Sequence, residues 1–96
     1  MDVVLIMDDT LIDAIAERIV ILCKEKKTTP YTVARISGLD KATMYSILSK
    51  RSRSPEITTV KKICDGLGIS LGDFFCTPEF ENLVRIIPYN TSKHPV

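Results

Sequence analysis

The sequence predicts an all-α fold: a bundle of five helices in one domain, followed by a further helix near the C-terminus. Three observations lead to this prediction. Apolar residues recur at three- and four-residue steps through successive segments, which is the spacing of one face of an α-helix. Thr, Ser or Asp precedes most of these segments and Gly follows several, as at helix starts and ends. The length of 96 residues suffices for one modest core.

The chain divides into three parts on this interpretation. Residues 1–9 form an N-terminal extension, residues 10–76 form the five-helix domain, and residues 77–96 form a C-terminal helix and tail. Two alternatives stay open for the extension. Val3 to Ile6 could form a short edge strand, or the segment could be a tail ahead of an internal translation start at Met7.

The first predicted helix spans residues 10–27. Thr10 and Asp13 have the spacing of a capping box, which satisfies backbone N–H groups at a helix start. The helix ends in a basic run that closes at Lys27 and suits the negative end of the helix dipole. Its predicted buried face consists of Ile12, Ile15, Ala16, Ile19, Leu22 and Cys23.

Two short helices are predicted on either side of Gly38. Thr29-Pro30 begins the second helix, because Thr caps helices and Pro is tolerated at their first position. Gly38 ends this helix, because Gly adopts the left-handed conformation at little cost. Asp40 is expected to cap the third helix. The apolar stripe of the third helix consists of Met44, Ile47 and Leu48.

The fourth and fifth helices are predicted after a polar and basic loop that ends at Pro55. Gly68 closes the fourth helix, and Ser70 with Asp73 forms a capping box for a short fifth one. The predicted buried face of the fourth helix consists of Ile57, Val60, Ile63, Cys64 and Leu67. Gly66 and Gly72, like Gly68, are interpreted as helix punctuation.

The C-terminal helix begins at a second Thr-Pro pair, Thr77-Pro78, and should run for about ten residues before Pro88 stops it. Its apolar face consists of Phe80, Leu83, Val84 and Ile87. The five-helix domain is expected to close without this face. Two alternatives follow: the helix folds back against the first and fifth helices, or its apolar face contributes to a homodimer. We predict that the four residues help to form a homodimer.

The segment ARISGLDKATMYSIL, residues 34–48, has the pattern of a helix-turn-helix motif. Ala34 is small where the next helix crosses closely, and Gly38 supplies a backbone conformation that a side chain would hinder. Leu39 is apolar and pins the turn into the core. Met44 and Ile47 anchor the inner face of the third helix. A motif of this kind presents its second helix to a partner.

The charge distribution indicates which partner to expect. The net charge of the chain is only +1, but residues 18–62 hold eleven basic and three acidic residues, a charge of +8. The remainder carries −7. A basic segment between acidic flanks is the electrostatic pattern of a protein that contacts nucleic acid.

Catalytic and metal-binding functions find little support in the sequence. Cys23, Cys64 and Cys76 are widely spaced, and the single histidine, His94, is near the C-terminus, so no zinc ligand set is predicted. The thiols are interpreted as small apolar residues in a reducing compartment. No Ser/His/Asp or Cys/His set and no phosphate-binding Gly loop occurs. We therefore predict neither an enzyme nor a cofactor.

The sequence also gives no sign of export or membrane insertion. No apolar run reaches 18 residues, and the N-terminal MDVVLIMDD has no basic start. The cytoplasm is therefore the expected location.

Residues 30–75 resemble the Cro/lambda-repressor type of helix-turn-helix transcriptional regulator, often called Xre-like. The resemblance rests on VARISGLDKATMYSIL, on the basic loop with Pro55, and on ITTVKKICDGLGISLGDFF, which is similar to the fourth and fifth helices of the family. With residues 10–27 included, about two thirds of the chain is covered. The sequence departs from the family pattern at Pro30, where the family often carries a Gln that touches a phosphate or a base-reading residue.

The resemblance implies that the helix over residues 41–49 lies in the major groove of double-stranded DNA. The base-reading positions then fall on Lys41, Ala42, Tyr45 and Ser46. The expected phosphate contacts come from Thr29, Thr43, Lys50, Arg51 and Arg53. The implied function is a sequence-specific transcriptional regulator that acts as a dimer and represses by occluding an operator. The main alternative is an antitoxin-like protein-interaction module on the same fold, with DNA binding secondary.

Overall fold

The structure is a computed structural model that describes residues 3–50 and 55–83, with side chains from Leu11 onward. Within these ranges the chain forms six α-helices and no strand. They are α1 (Val3–Glu25), α2 (Pro30–Ser37), α3 (Lys41–Leu48), α4 (Ile57–Leu67), α5 (Leu71–Phe75) and α6 (Pro78–Glu81). The predicted all-α fold, five helices followed by one more, is confirmed.

The helix α1 begins earlier than predicted. It starts at Val3, so Thr10 lies inside a continuous helix and does not cap it. Residues 3–9 are thus helical rather than an edge strand or a tail. Extending a nucleated helix is inexpensive, since each added residue contributes a hydrogen bond, and a Thr inside it costs less than about 0.7 kcal/mol. At its other end α1 stops at Glu25, and Lys27 has a left-handed φ of 55°.

Within the described residues, one hydrophobic core lies between the helices. α1 packs on α2 and α3, and α4 packs on α2 and α5. The predicted buried face of α1 is buried throughout, and Phe74, Ile19 and Ile63 are 0% exposed. One member predicted for the α4 face is wrong: Ile57 is 59% exposed, because it is the first residue of α4 and lies beyond the core.

The turn between α2 and α3 has the predicted chemistry. Gly38 has a φ of 75°, and its N–H donates to the carbonyl oxygen of Arg35 at 3.3 Å. The Leu39 N–H donates to the Ala34 carbonyl oxygen at 2.8 Å, which completes a Schellman ending. Leu39 packs against the core. These bonds and the packing hold the two helices of the motif at a fixed angle.

Gly66 and Gly72 do not punctuate helices, contrary to the prediction. Gly72 is the second residue of α5, and Gly66 lies inside α4, where α4 passes close to α2. A Cβ atom at this position would overlap the Ser37 hydroxyl oxygen and lie 3.2 Å from the carbonyl oxygen of Val33. Gly66 therefore permits the close approach of α2 and α4. Gly68, by contrast, ends α4 as predicted, with a φ of 76°.

The C-terminal helix is shorter than predicted. α6 ends at Glu81 with Asn82 as its C-cap, and Val84 and Ile87 lie outside the described residues. Asn favours local hydrogen bonding over helix continuation, so it is a suitable end point. α6 contacts α1, and the Phe80 ring lies 4.9 Å from the Phe75 ring, centroid to centroid. Phe80 thus folds back onto its own domain, the first of the two predicted alternatives.

Candidate nucleic-acid interface

The outer face of α3 carries the residues predicted to read bases. Lys41, Ala42 and Tyr45 are exposed, and Ser46 is half-buried. The inner face of the same helix is anchored by Met44 and Ile47, which are 3% and 2% exposed. α3 is therefore fixed from behind by the core and offers its polar face to the surface.

The first turn of α3 differs from the prediction in one respect. Asp40 occupies the N-cap position, but within the described residues its carboxylate makes no capping hydrogen bond. Its carbonyl oxygen accepts from the N–H of Thr43 at 3.1 Å and from that of Met44 at 3.3 Å. These two backbone hydrogen bonds form the first turn of α3.

The first turn of α2 lies beside α3 and is capped by Thr29, as predicted. The Thr29 hydroxyl oxygen accepts from the Thr32 backbone N–H at 3.1 Å, and the hydroxyl donates to the Thr32 hydroxyl oxygen at 3.0 Å. Pro30 follows at the first helical position and has no N–H to offer. The primary task of the Thr29 hydroxyl is therefore to cap α2, and its contact with phosphate stays a prediction.

Tyr31 joins α2 to α3 through a contact that sequence reasoning missed. The Nζ atom of Lys41 lies 5.3 Å from the centroid of the Tyr31 ring, within cation–π distance. Both residues border a groove of about 480 Å³ between the two helices. The groove is lined by Pro30, Tyr31, Lys41, Ala42, Met44, Tyr45 and Leu48. The sequence did contain a sign of this contact: Tyr31 is an aromatic residue next to Pro30, the position where the family often carries a Gln that touches a phosphate or a base-reading residue.

Lys50 follows α3 in a left-handed conformation. Its φ is 64°, which is uncommon for a residue other than Gly, and its N–H donates to the carbonyl oxygen of Ile47 at 3.1 Å. Its Nζ atom lies 3.4 Å from Oδ1 of Asp13 on α1, in an exposed ion pair. The structure thus places this predicted phosphate ligand next to α3, with an acidic partner. Arg51 and Arg53 lie outside the described residues.

Two further cations of the basic segment, besides Lys50, have partners within the described part of the chain. Arg18 donates from Nε to the Phe74 carbonyl oxygen and from Nη2 to the Asp73 carbonyl oxygen, both at 2.8 Å. It therefore satisfies the C-terminal end of α5. Lys61 pairs with Asp65 one turn along α4, and this hydrogen bond raises the pKa of Lys61. Fewer basic side chains of residues 18–62 are thus available to DNA than the net charge of +8 suggests.

Among the described side chains, those of residues 11–50 and 55–83, no three His, Cys, Asp or Glu residues are grouped so that they could hold a metal ion. None of the helices described is long and apolar enough to cross a membrane.

Comparison with known proteins shows the family to which the chain belongs. The family described as "Cro/C1-type HTH DNA-binding domain" matches residues 18–79, which is more than half of the chain. No curated protein matches. A solved structure, the crystal structure of the prophage Lp1 protein 11, is similar with a TM-score of 0.65 and 37% sequence identity. The similarity covers 73% of this chain and 91% of that one. The chain belongs to the Cro/C1-type family of helix-turn-helix DNA-binding domains.

Proposed function

We propose that this protein is a sequence-specific transcriptional repressor that places α3 in the major groove of its operator. The proposal rests on one observation: α3 is held by the core on its inner face and is exposed on its outer face. Its inner residues Met44 and Ile47 are buried, while Lys41, Ala42 and Tyr45 are exposed beside the first turn of α2. In proteins of this architecture a helix supported in this way reads the base edges.

The exposed face of α3 offers distinct chemistry to different bases. The Lys41 ammonium can donate to the N7 and O6 acceptors of guanine, and the Ala42 methyl group can contact the methyl group of thymine. The Ser46 hydroxyl can donate or accept, and the Tyr45 ring can pack on a sugar while its hydroxyl bonds a base or phosphate. We infer that Lys41 and Ala42 contribute most of the discrimination.

Phosphate contacts are proposed around α3. The backbone N–H of Tyr31, at the N-terminus of α2, has no acceptor within the described part of the chain. It can therefore donate a hydrogen bond to a phosphate, and the Thr29 hydroxyl beside it can do the same. The Thr43 hydroxyl offers a second donor at the first turn of α3. Lys50 follows the end of α3, and phosphate contacts are also proposed for Arg51 and Arg53, which come next in the sequence. These contacts would set affinity and register without reading sequence.

A homodimer is part of the proposal, because DNA readers of this type commonly bind two half-sites about 34–36 Å apart. Phe80 packs on the domain itself and would anchor the segment that follows it. The dimer contacts are then assigned to Leu83, Val84 and Ile87. Sedimentation should show a dimer at high micromolar concentration, and a monomer there would contradict this assignment. Repression would follow from occlusion of the operator.

Selection of bound duplexes from a random DNA pool tests the proposal. Purified protein at moderate salt should enrich a two-fold symmetric motif. Lys41→Ala should change the preference at one base pair per half-site, at a cost of about 1–3 kcal/mol. The matched control is Lys62→Ala, which removes an exposed lysine of α4 and should leave the motif unchanged. Weak, salt-sensitive binding to all duplexes without enrichment would refute sequence-specific repression.

A further inference from the structure

The contact between Tyr31 and Lys41 joins the first turns of the two helices of the motif. Tyr31 is the second residue of α2 and Lys41 is the first residue of α3. The backbones that carry them are fixed relative to each other by the hydrogen bonds at Gly38 and by the buried side chain of Met44. The positions from which the ring and the ammonium group extend are therefore fixed relative to each other.

The Tyr31 ring is the contact that the structure shows for the Lys41 ammonium. Within the described ranges Lys41 forms no ion pair, and its Nζ atom lies 5.3 Å from the ring centroid. Tyr31 is itself 55% exposed, so its burial in the core does not explain its position. A free lysine side chain samples many rotamers and loses that freedom when it binds. A lysine already held by a ring has less freedom to lose.

We propose that Tyr31 is a positioning residue for base reading: its ring holds the Lys41 ammonium at the edge of the groove between α2 and α3. This inference rests on the proposed function and deepens it, because it assigns part of the sequence discrimination to a residue of α2. The direction of the effect is specific. Loss of the ring should weaken the preference at the base pair that Lys41 reads, and leave the other base pairs unchanged.

The contact itself is tested in the free protein. A ring current from Tyr31 should shift the NMR signals of the Lys41 ε-methylene protons upfield. Tyr31→Phe keeps the aromatic face and should retain the shift, whereas Tyr31→Leu should abolish it. Equal shifts in all three proteins would overturn the proposal. Circular dichroism and thermal melts of the variants check that α2 and α3 remain folded.

The positioning role is tested by a double-mutant cycle on the selected duplex. Tyr31→Leu should weaken binding about two- to fivefold, the range expected for an exposed cation–π contact. Tyr31→Phe should bind like the original protein. In the background of Lys41→Met, which keeps the stem without the charge, Tyr31→Leu should have no further effect.

A second duplex, changed only at the base pair whose preference Lys41→Met alters, separates specificity from general affinity. Tyr31→Leu should weaken binding to the selected duplex and leave binding to the changed duplex the same. Equal losses on both duplexes, a loss that persists with Lys41→Met, or tighter binding by Tyr31→Leu would each overturn the positioning role. Failure of the original protein to select any duplex would instead refute the proposed function, and the role of Tyr31 with it.

Discussion

Arg18 and Lys41 both belong to the basic segment, yet the structure uses them differently. Arg18 donates two hydrogen bonds to the carbonyl oxygens that end α5, so its charge stabilises the fold. Lys41 lies on the outer face of α3 with the Tyr31 ring beside it. Charge counting along a sequence cannot separate the two, because the separation depends on which helix end lies within reach of the side chain.

The three cysteines differ in burial, and this difference predicts how fast each will react. Cys23 and Cys64 are buried, and burial raises the pKa of both thiols, whereas Cys76 is exposed. Since the thiolate is the reactive form, we expect a disulfide reagent at neutral pH to label Cys76 quickly and the other two only when the fold opens. Mass mapping of the labelled peptides gives the order. Rapid labelling of Cys64 in the native protein would contradict the packing of α4.

The close approach at Gly66 makes a second prediction. Gly66→Ala should gain up to about 1 kcal/mol from helix propensity, but the added Cβ displaces the Ser37 hydroxyl and lies 3.2 Å from the backbone carbonyl oxygen of Val33, and such overpacking costs about 1–3 kcal/mol. We expect a net loss in the free energy of unfolding, measured by urea titration. Ser37→Ala should recover part of that loss. The Ser37 oxygen is buried and has no hydrogen-bond partner among the described residues, so its removal alone should cost little.

At the scale of elements, the helices whose signals are local were predictable. The Thr-Pro start of α2 and the Gly ends of α2 and α4 occur as expected, because caps and left-handed residues act within one turn. The predicted start of α1 at Thr10 was wrong, because a residue that can cap a helix can also lie inside one when the preceding residues are already helical. Gly66 and Tyr31 could not be assigned in advance, since their roles arise where two helices meet.

The turn at Gly38, between α2 and α3, gives a testable prediction about how a single helix end affects stability. Gly38→Ala places a side chain at a φ of 75° and should destabilise the fold by about 1–2 kcal/mol, although nothing lies within 4 Å of the new Cβ. The matched control is Gly72→Ala in α5. There φ is not positive, and the new Cβ would lie 3.7 Å from the Ser70 hydroxyl oxygen, an ordinary contact. Equal losses of unfolding free energy in the two variants would show that backbone strain at Gly38 is not the cause.

At the scale of the whole molecule, the exposed ion pair between Lys50 and Asp13 links α1 to the end of α3. An exposed pair contributes about 0–1 kcal/mol, so a DNA phosphate can displace the carboxylate from the ammonium group. If a dimer neutralises about six to ten phosphates, its affinity should fall roughly 10³- to 10⁵-fold between 50 and 200 mM salt. Because Asp13 competes with the phosphate for the Lys50 ammonium, we expect the pair to reduce the contribution of Lys50 to DNA affinity.

Two variants of this pair give opposite expected effects on DNA affinity. Lys50→Ala should weaken binding about equally on all duplexes and reduce the slope of log K against log salt by about 1 for each subunit. Asp13→Asn keeps the size of the side chain but removes the competing charge, so it should strengthen binding by no more than about 1 kcal/mol. Fluorescence anisotropy titrations across a salt series measure both effects. If Asp13→Asn weakened binding, the ion pair would be holding Lys50 in the orientation that contacts phosphate, and the carboxylate would be a support for the interface rather than a competitor.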